Sequence, residues 1–169
     1  EGQLLAVLDP TDFQIQFDES KAQLASTLRN VQQMFDQVDE LVASLEKQLV
    51  YVDQAQIHFL NRQALVSIGG VSKESFEDAQ SALLAAQAEV LKIEESLNSA
   101  QTQTYNTTVL THPLVKSAID NVKMAWLNLC YTQIKVPHDG FIAKKTVQVG
   151  ESASSAHPLL AIVPLDNLW

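Results

Sequence analysis

The sequence predicts a mainly α-helical fold with a small β part, in which a long antiparallel coiled-coil hairpin is inserted into a split β domain. Three observations predict it. Two long segments carry apolar residues in a heptad pattern, which is typical of paired helices. Two adjacent glycines, Gly69 and Gly70, separate these segments. Short apolar runs without the heptad pattern lie before the first segment and after the second.

The first short apolar run is residues 3–8, which we expect to form a buried strand. Pro10 follows it and suits a turn or the first position of a helix. The side chain of Thr11 or Asp12 can then cap the first N–H groups of that helix. A strand followed directly by a helix is therefore predicted near residue 11.

The first arm of the hairpin is predicted over residues 12–67. Its seam positions are separated by alternating steps of four and three residues, an average period of 3.5 that predicts coiled-coil packing. The predicted seam consists of Phe17, Lys21, Leu24, Leu28, Val31, Phe35, Val38, Val42, Leu45, Leu49, Val52, Gln56 and Phe59.

The turn between the arms is predicted at residues 68–72. Two adjacent glycines end a helix readily, because glycine adopts the left-handed conformation at little cost. Ser72 is then expected to cap the second helix, and Glu74 lies in its first turn, where an acidic side chain favours the helix dipole. The chain is therefore expected to turn sharply at Gly69 and Gly70.

The second arm is predicted over residues 72–131, and it matches the first in length at roughly 80–85 Å. Threonines and the coming Pro113 predict a break near 104–112. Its seam before the break is Phe76, Ala79, Leu83, Ala86, Val90, Ile93, Leu97 and Ala100. Its apolar stripe after the break is Val115, Ile119, Val122, Trp126 and Leu129.

Several short strands are predicted after the hairpin. They cover residues 134–137, 141–143, 146–149 and 159–163, and turns are expected at Gly140 and Gly150. Because a lone strand would leave its backbone groups unpaired, residues 3–8 should pair with one of these later strands. This pairing predicts one β domain that the hairpin interrupts.

Composition excludes several classes of function. The 169 residues carry a net charge of −9 and no basic cluster, which argues against nucleic acid as a partner. The single cysteine, Cys130, permits no internal disulfide, and the four histidines form no metal-ligand pattern. No catalytic motif or phosphate-binding loop is present. We therefore expect no enzyme activity, no metal and no cofactor.

Three segments in this order resemble the membrane fusion proteins, also called periplasmic adaptor proteins. Residues 1–9 (EGQLLAVLD) are similar to the first half of that family's lipoyl-like, or biotinyl-like, domain. Residues 134–142 (IKVPHDGFI), 149–151 (VGE) and 158–163 (PLLAIV) are similar to its second half, and 164–169 (PLDNLW) to the entry of its β-barrel domain. The DPTD sequence at 9–12 and Trp126 with Leu127 resemble the EmrA-type branch, which serves multidrug efflux.

The resemblance implies a domain organisation. Residues 1–10 would be the first half of the lipoyl-like domain, 11–131 the hairpin, 132–164 the second half, and 165–169 the start of a truncated β-barrel domain. Gly140 and Gly150 would form lipoyl-like turns. No lipoylation is expected, because the hairpin replaces the turn that holds the modified lysine.

The resemblance also implies a function and partners. The full-length protein would be a periplasmic homo-oligomer, anchored in the inner membrane by a segment that precedes residue 1. It would bridge an inner-membrane drug exporter of the major-facilitator type to a TolC-like outer-membrane channel, without chemistry on the exported compound. The hairpin turn would contact the channel through Arg62, Leu65 and Ser72. The alternative roles for these residues are a solvated side chain, a seam residue and a helix cap.

Three other functions compete with this interpretation. The nearest is the related adaptor of a type I protein secretion system. An enzyme with a coiled-coil arm, such as seryl-tRNA synthetase, would need a basic face, whereas this hairpin is acidic. A purely structural coiled-coil protein would leave the split strands unexplained.

Overall fold

The computed structural model describes residues 2–137, 139–146, 148–154 and 158–164. Within them the fold is mainly helical with few strands, which confirms the predicted helical hairpin. The helices are α1 (Thr11–Val66), α2 (Lys73–Thr104) and α3 (Pro113–Tyr131), and the strands are β1 (Leu4–Val7), β2 (Gln133–Lys135), β3 (Gly140–Lys145) and β4 (Leu160–Pro164). The chain forms two compact units, the described residues of Glu1–Leu24 with Ser117–Trp169, and Ala25–Lys116.

Helix α1 begins at a cap that differs from the predicted one. The carboxylate of Asp9 accepts hydrogen bonds from the hydroxyl of Thr11 at 2.6 Å and from its backbone N–H at 3.0 Å. These two bonds hold the pKa of Asp9 below its ordinary value. The predicted caps, Thr11 and Asp12, both lie inside the helix, because the chain turns one residue earlier than expected.

The predicted seam of α1 is correct at nine of its thirteen positions. Its positions spaced by seven are buried or half-buried in the structure: Phe17, Leu24, Val31, Val38, Leu45, Val52 and Phe59. Four residues after these positions, Leu28 and Phe35 are half-buried as predicted, whereas Lys21, Val42, Leu49 and Gln56 are exposed. From Val38 onward the inward position lies three residues later instead. Half-buried Leu41, Gln48, Ala55 and Arg62 take that position along the part paired with α2.

Helix α2 confirms its predicted seam at every position, since all eight residues are buried or half-buried. Side-chain contacts tie it to α1, and two of them show the direction in which the helices run. The rings of Phe59 and Phe76 lie 5.4 Å apart, and Nε2 of Gln48 donates to the carbonyl oxygen of Ala86 at 3.3 Å. The later of the two α1 residues, Phe59, meets the earlier of the two α2 residues, Phe76, so the helices run antiparallel.

The predicted break separates α2 from α3. Asn106 has a positive φ of 52° there, a conformation that asparagine tolerates better than most residues. His112 is 6% exposed and joins the two helix ends. Its Nε2 lies 3.1 Å from the carbonyl oxygen of Gln103, and its Nδ1 accepts from the backbone N–H of Leu114 at 3.3 Å. The imidazole therefore caps the first turn of α3.

Helix α3 buries most, but not all, of its predicted stripe. Val115 is fully buried, whereas Trp126 is 51% exposed. The neighbouring Ala125 is 6% exposed and takes the inward position instead. A small side chain at this position leaves the large indole on the open face.

The strands form two antiparallel pairs. β1 pairs with β2, with Ala6 opposite Ile134 and a bulge between Leu4 and Ala6. This pairing confirms that residues 3–8 join a strand that follows the hairpin. β3 pairs with β4, with Phe141 opposite Val163. The strand predicted over 146–149 is absent at its described residues, of which 148 and 149 lie in or beside a turn.

Gly140 and Gly150 occupy different environments. Gly140 does not lie in the predicted turn, since it is the first residue of β3. A Cβ there would collide with the carbonyl oxygen of Val163 and lie 3.0 Å from Cγ2 of Ile162. Close approach of the backbones therefore requires glycine at this position. Gly150 has a φ of +88° in a turn where the N–H of Glu151 donates to the carbonyl oxygen of Gln148 at 3.2 Å. Its left-handed conformation favours glycine.

Candidate functional site at the hairpin turn

The turn between α1 and α2 is closed by its own backbone. The N–H of Gly70 donates to the carbonyl oxygen of Leu65 at 2.8 Å, and the N–H of Gly69 to that of Val66 at 3.2 Å. Gly69 has a φ of +75°. This pair of bonds around a left-handed glycine is the Schellman motif, which satisfies the last carbonyl groups of a helix. The prediction that a glycine here adopts the left-handed conformation is confirmed at Gly69.

Ser72 closes the other side of the turn. It has extended backbone angles, and its Oγ accepts from the backbone N–H of Ser75 at 3.1 Å. Glu74 lies in the first turn of α2, as predicted. Because both helix ends are capped within a few residues, the turn needs no other segment of the chain to hold its conformation.

Arg62 is half-buried and reaches across to α2. Its Nε donates to Oγ of Ser75 at 2.8 Å. The side chain also lines a shallow groove with His58 and Asp78. Ser75 could not be predicted as a partner from the sequence, since its contact with Arg62 depends on how the two arms pair.

Among the described residues, no hydrogen bond joins the side chain of Leu65 or Ser72 to the other arm of the hairpin. Leu65 is 42% exposed, and its side chain would lie 3.4 Å from a Cβ at Gly70. Ser72 is exposed. The structure thus gathers Leu65, Gly69, Gly70 and Ser72 at one turn and places Arg62 in the seam one helical turn away.

No chemical centre accompanies this turn. Among the residues that the structure describes, no three His, Cys, Asp or Glu side chains are grouped so as to hold a metal ion. In the same part of the chain, no helix is both long enough and apolar enough to cross a membrane. What the turn presents is a fixed backbone with exposed side chains, which suits contact with another surface.

The hairpin is shared with known proteins. The family model described as "EMRA, alpha-helical hairpin domain" matches residues 11–132, which cover all three helices. The chain belongs to the EmrA-type membrane fusion protein family. The predicted family is therefore confirmed.

Curated members of the EmrA-type family match nearly the whole chain. The multidrug export protein EmrA of Haemophilus influenzae is 33% identical over 99% of this chain, and that of Escherichia coli K12 is 32% identical over all of it. The fatty acid resistance protein FarA of Neisseria gonorrhoeae is also 32% identical over all of it. The chain spans 43% of the length of each of these relatives.

A solved structure, titled "Structure of the periplasmic adaptor protein EmrA", is 18% identical and covers 96% of this chain and 64% of its own. Its TM-score against this chain is 0.44. This similarity is too low to bear on the function.

Proposed function

We propose that the full-length protein is the periplasmic adaptor subunit of a tripartite multidrug efflux pump. It bridges an inner-membrane exporter of the major-facilitator type to a TolC-like outer-membrane channel. Two findings support the proposal: the family model matches the hairpin, and two of the relatives are named multidrug export proteins. FarA, named for fatty acid resistance, is consistent with apolar exported compounds.

One structural observation carries the proposal, the turn at residues 68–72. A turn that is capped on both sides by Gly69 and Ser72 keeps its shape without other parts of the chain. Leu65 beside it and Ile68 within it nevertheless leave apolar surface exposed. A rigid turn with exposed apolar side chains is suited to dock another protein, and we assign the contact with the channel to it.

The strands on either side of the hairpin belong to one split lipoyl-like domain in this proposal. Its halves are residues 1–10 and 132–164, the hairpin is residues 11–131, and a β-barrel domain begins at 165–169, which lie outside the described residues. The pairing of β1 with β2 supports this division, because it joins one strand from each half. Gly140 and Gly150 then shape the second half.

The proposed location is the periplasm, with an inner-membrane anchor outside residues 1–169. Several copies act together around one channel, and the protein performs no chemistry on the exported compound. Its mechanism is mechanical: it holds exporter and channel together and completes the path between them.

The experiment that tests this function uses the full-length protein in a bacterial strain that lacks its own copy. Drug susceptibility and export of a secreted protein are measured in parallel, since a type I secretion adaptor would affect the second. Leu65→Ser and Arg62→Asp probe the turn. Ser75→Ala is the matched control, because it removes the same cross-arm hydrogen bond as Arg62→Asp while it keeps the charge of Arg62.

Wild type should restore drug resistance, and Leu65→Ser should reduce it at normal expression and helicity. Arg62→Asp should reduce it more than Ser75→Ala if Arg62 contacts the channel. If the strain that expresses wild-type protein is no more resistant than the strain that carries the empty vector, the efflux role itself is refuted. Normal resistance in both turn variants would mean that the docking surface lies elsewhere on the hairpin.

A further inference from the structure

Charge is distributed unevenly along the hairpin. Residues 25–116, which form one of the two compact units, contain 11 acidic residues and 6 lysines and arginines. All of these acidic residues lie between Asp36 and Glu95. Residues 96–115 contain no aspartate, glutamate, lysine or arginine, and residues 25–35 contain one arginine and no acidic residue. The unit is therefore acidic over most of its length and lacks acidic side chains at the end that holds the break.

The two segments without acidic residues lie opposite each other in the hairpin, because its helices run antiparallel. Gln48 contacts Ala86, and Val31 lies as many residues before Gln48 as Gln103 lies after Ala86. Val31 is fully buried, and Thr104, next to Gln103, is 9% exposed. Both arms thus contribute to one cross-section of the hairpin. We call it the acid-free band, which consists of residues 25–35 and 96–115.

Large apolar side chains of the acid-free band are exposed. Tyr105, directly after α2, is 74% exposed, and Leu110, in the break, is 70% exposed. Leu114, in the first turn of α3, is 50% exposed. The cores of protein–protein interfaces are depleted of charge and enriched in tyrosine relative to the rest of the surface. The band therefore has the composition that is typical of an interface core.

The break holds its exposed side chains on a fixed backbone. The N–H of Thr108 donates to Oγ1 of Thr111 at 2.7 Å, and the N–H of His112 donates to the carbonyl oxygen of Thr108 at 2.9 Å. The hydroxyl of Thr107 donates to the carbonyl oxygen of Thr104 at 2.8 Å. Because these hydrogen bonds order the break within a single chain, little conformational entropy is lost when its surface binds a partner.

The charge distribution favours a second copy of the chain as that partner. Copies that stand side by side bring the same level of the hairpin together, and two acidic surfaces at one level repel each other. Two acid-free bands avoid this repulsion and bury uncharged surface instead. Because both arms form the band, it faces neighbours on either side, as a closed ring of copies requires.

We propose that the acid-free band is the surface through which neighbouring copies contact each other in the assembled protein. This inference rests on the proposed function, in which several copies surround one channel. The exposed side chains of the band supply on the order of a few hundred Å², whereas a stable pairwise interface buries roughly 800 Å² on each partner. Each contact is therefore weak, and the several contacts of a ring stabilise the assembly together.

The test introduces a charge at Leu110 in the full-length protein. Leu110→Asp and Leu110→Asn are similar in size, so the pair separates the effect of charge from the loss of the leucine side chain. Leu84→Asp is the matched control, because Leu84 is 59% exposed but lies in the acidic part of the hairpin. Self-association is measured in detergent by sedimentation equilibrium over a concentration series, and circular dichroism checks that each variant keeps its helicity.

We expect Leu110→Asp to weaken self-association at least about tenfold, because the contact would bury a charge without a partner. Leu110→Asn should weaken it less, and Leu84→Asp should behave like wild type. The proposal is overturned if wild type stays monomeric at every concentration, if Leu110→Asp associates normally, or if Leu84→Asp weakens association as much as Leu110→Asp does.

Drug resistance, measured in a strain that lacks its own copy, separates this proposal from the proposed function. If wild type self-associates through the band without restoring resistance, the function is refuted and the contact between copies stands. If Leu110→Asp associates normally but lowers resistance, the band binds a different protein and the proposal is wrong. Loss of both self-association and resistance in Leu110→Asp, with both normal in Leu84→Asp, is the result that we expect.

Discussion

The hydrogen bond between Arg62 and Ser75 predicts a measurable coupling between the two arms of the hairpin. It joins Nε of Arg62 to Oγ of Ser75 over 2.8 Å at a partly buried position. A hydrogen bond with a charged donor contributes about 1.5–3 kcal/mol when buried, and exposure lowers this value, so we expect roughly 0.5–1.5 kcal/mol here.

A double-mutant cycle isolates the contribution of this hydrogen bond to the free energy of unfolding. Arg62→Ala also removes the packing of the long side chain, and Ser75→Ala also raises helix propensity, so neither single variant measures the bond alone. The free energy of unfolding of this chain is measured in urea for wild type, both single variants and the double variant. The control cycle pairs Ser75→Ala with Gln63→Ala, whose side chain is exposed next to Arg62.

The expected result is a coupling of roughly 0.5–1.5 kcal/mol for Arg62 with Ser75 and none for Gln63 with Ser75. A coupling below about 0.3 kcal/mol, the usual scatter of additive pairs, would refute the structural role of Arg62. The side chain would then be free for docking, as the resemblance to the adaptor family implies.

Three further predictions concern glycines and a cap. Gly69→Ala should cost about 1–2 kcal/mol in urea unfolding because of its positive φ, and more than Gly70→Ala; equal costs would contradict the Schellman geometry. Gly140→Ala should cost about 1–3 kcal/mol because its Cβ meets the backbone of β4, and unchanged amide-exchange protection in β3 would contradict this contact. The lowered pKa of Asp9 means that its contribution to stability is present above about pH 4 and is lost as the pH falls through its folded pKa. The free energy of unfolding in urea should therefore fall more between about pH 5 and about pH 3 in wild type than in Asp9→Asn, and an equal fall in both would contradict the cap.

Local chemistry determined the parts of the fold that the sequence predicted best. The left-handed Gly69 and the cap at Ser72 depend on residues within a few positions of each other, so pattern alone identifies them. The seam of α2 was also predicted correctly, although Leu84 and Leu91 stand beside the seam residues Leu83 and Val90 and are exposed.

The seam of α1 could be predicted only in part, because apolar residues stand side by side at the position in question. Leu41 and Val42 both suit the seam, and so do Met34 and Phe35. Contacts with the partner helix determine which residue of each pair faces the seam. The structure selects the earlier residue of the pair near α2, with Leu41 half-buried and Val42 37% exposed.

The polar residues that this pairing places in the seam explain why α1 and α2 keep one register. Apolar contacts with an alanine-rich arm discriminate poorly between neighbouring registers, because small side chains accept many partners. Gln48 and Arg62 instead require one partner each, the carbonyl oxygen of Ala86 and the hydroxyl of Ser75. A slip of one register would leave both groups without these bonds, at a cost of about 1 kcal/mol each. Polar seam residues specify register in coiled coils at some cost in stability. The position of Arg62 in the seam is therefore sufficiently explained by register, and the exposed apolar residues on the opposite face remain available for a partner.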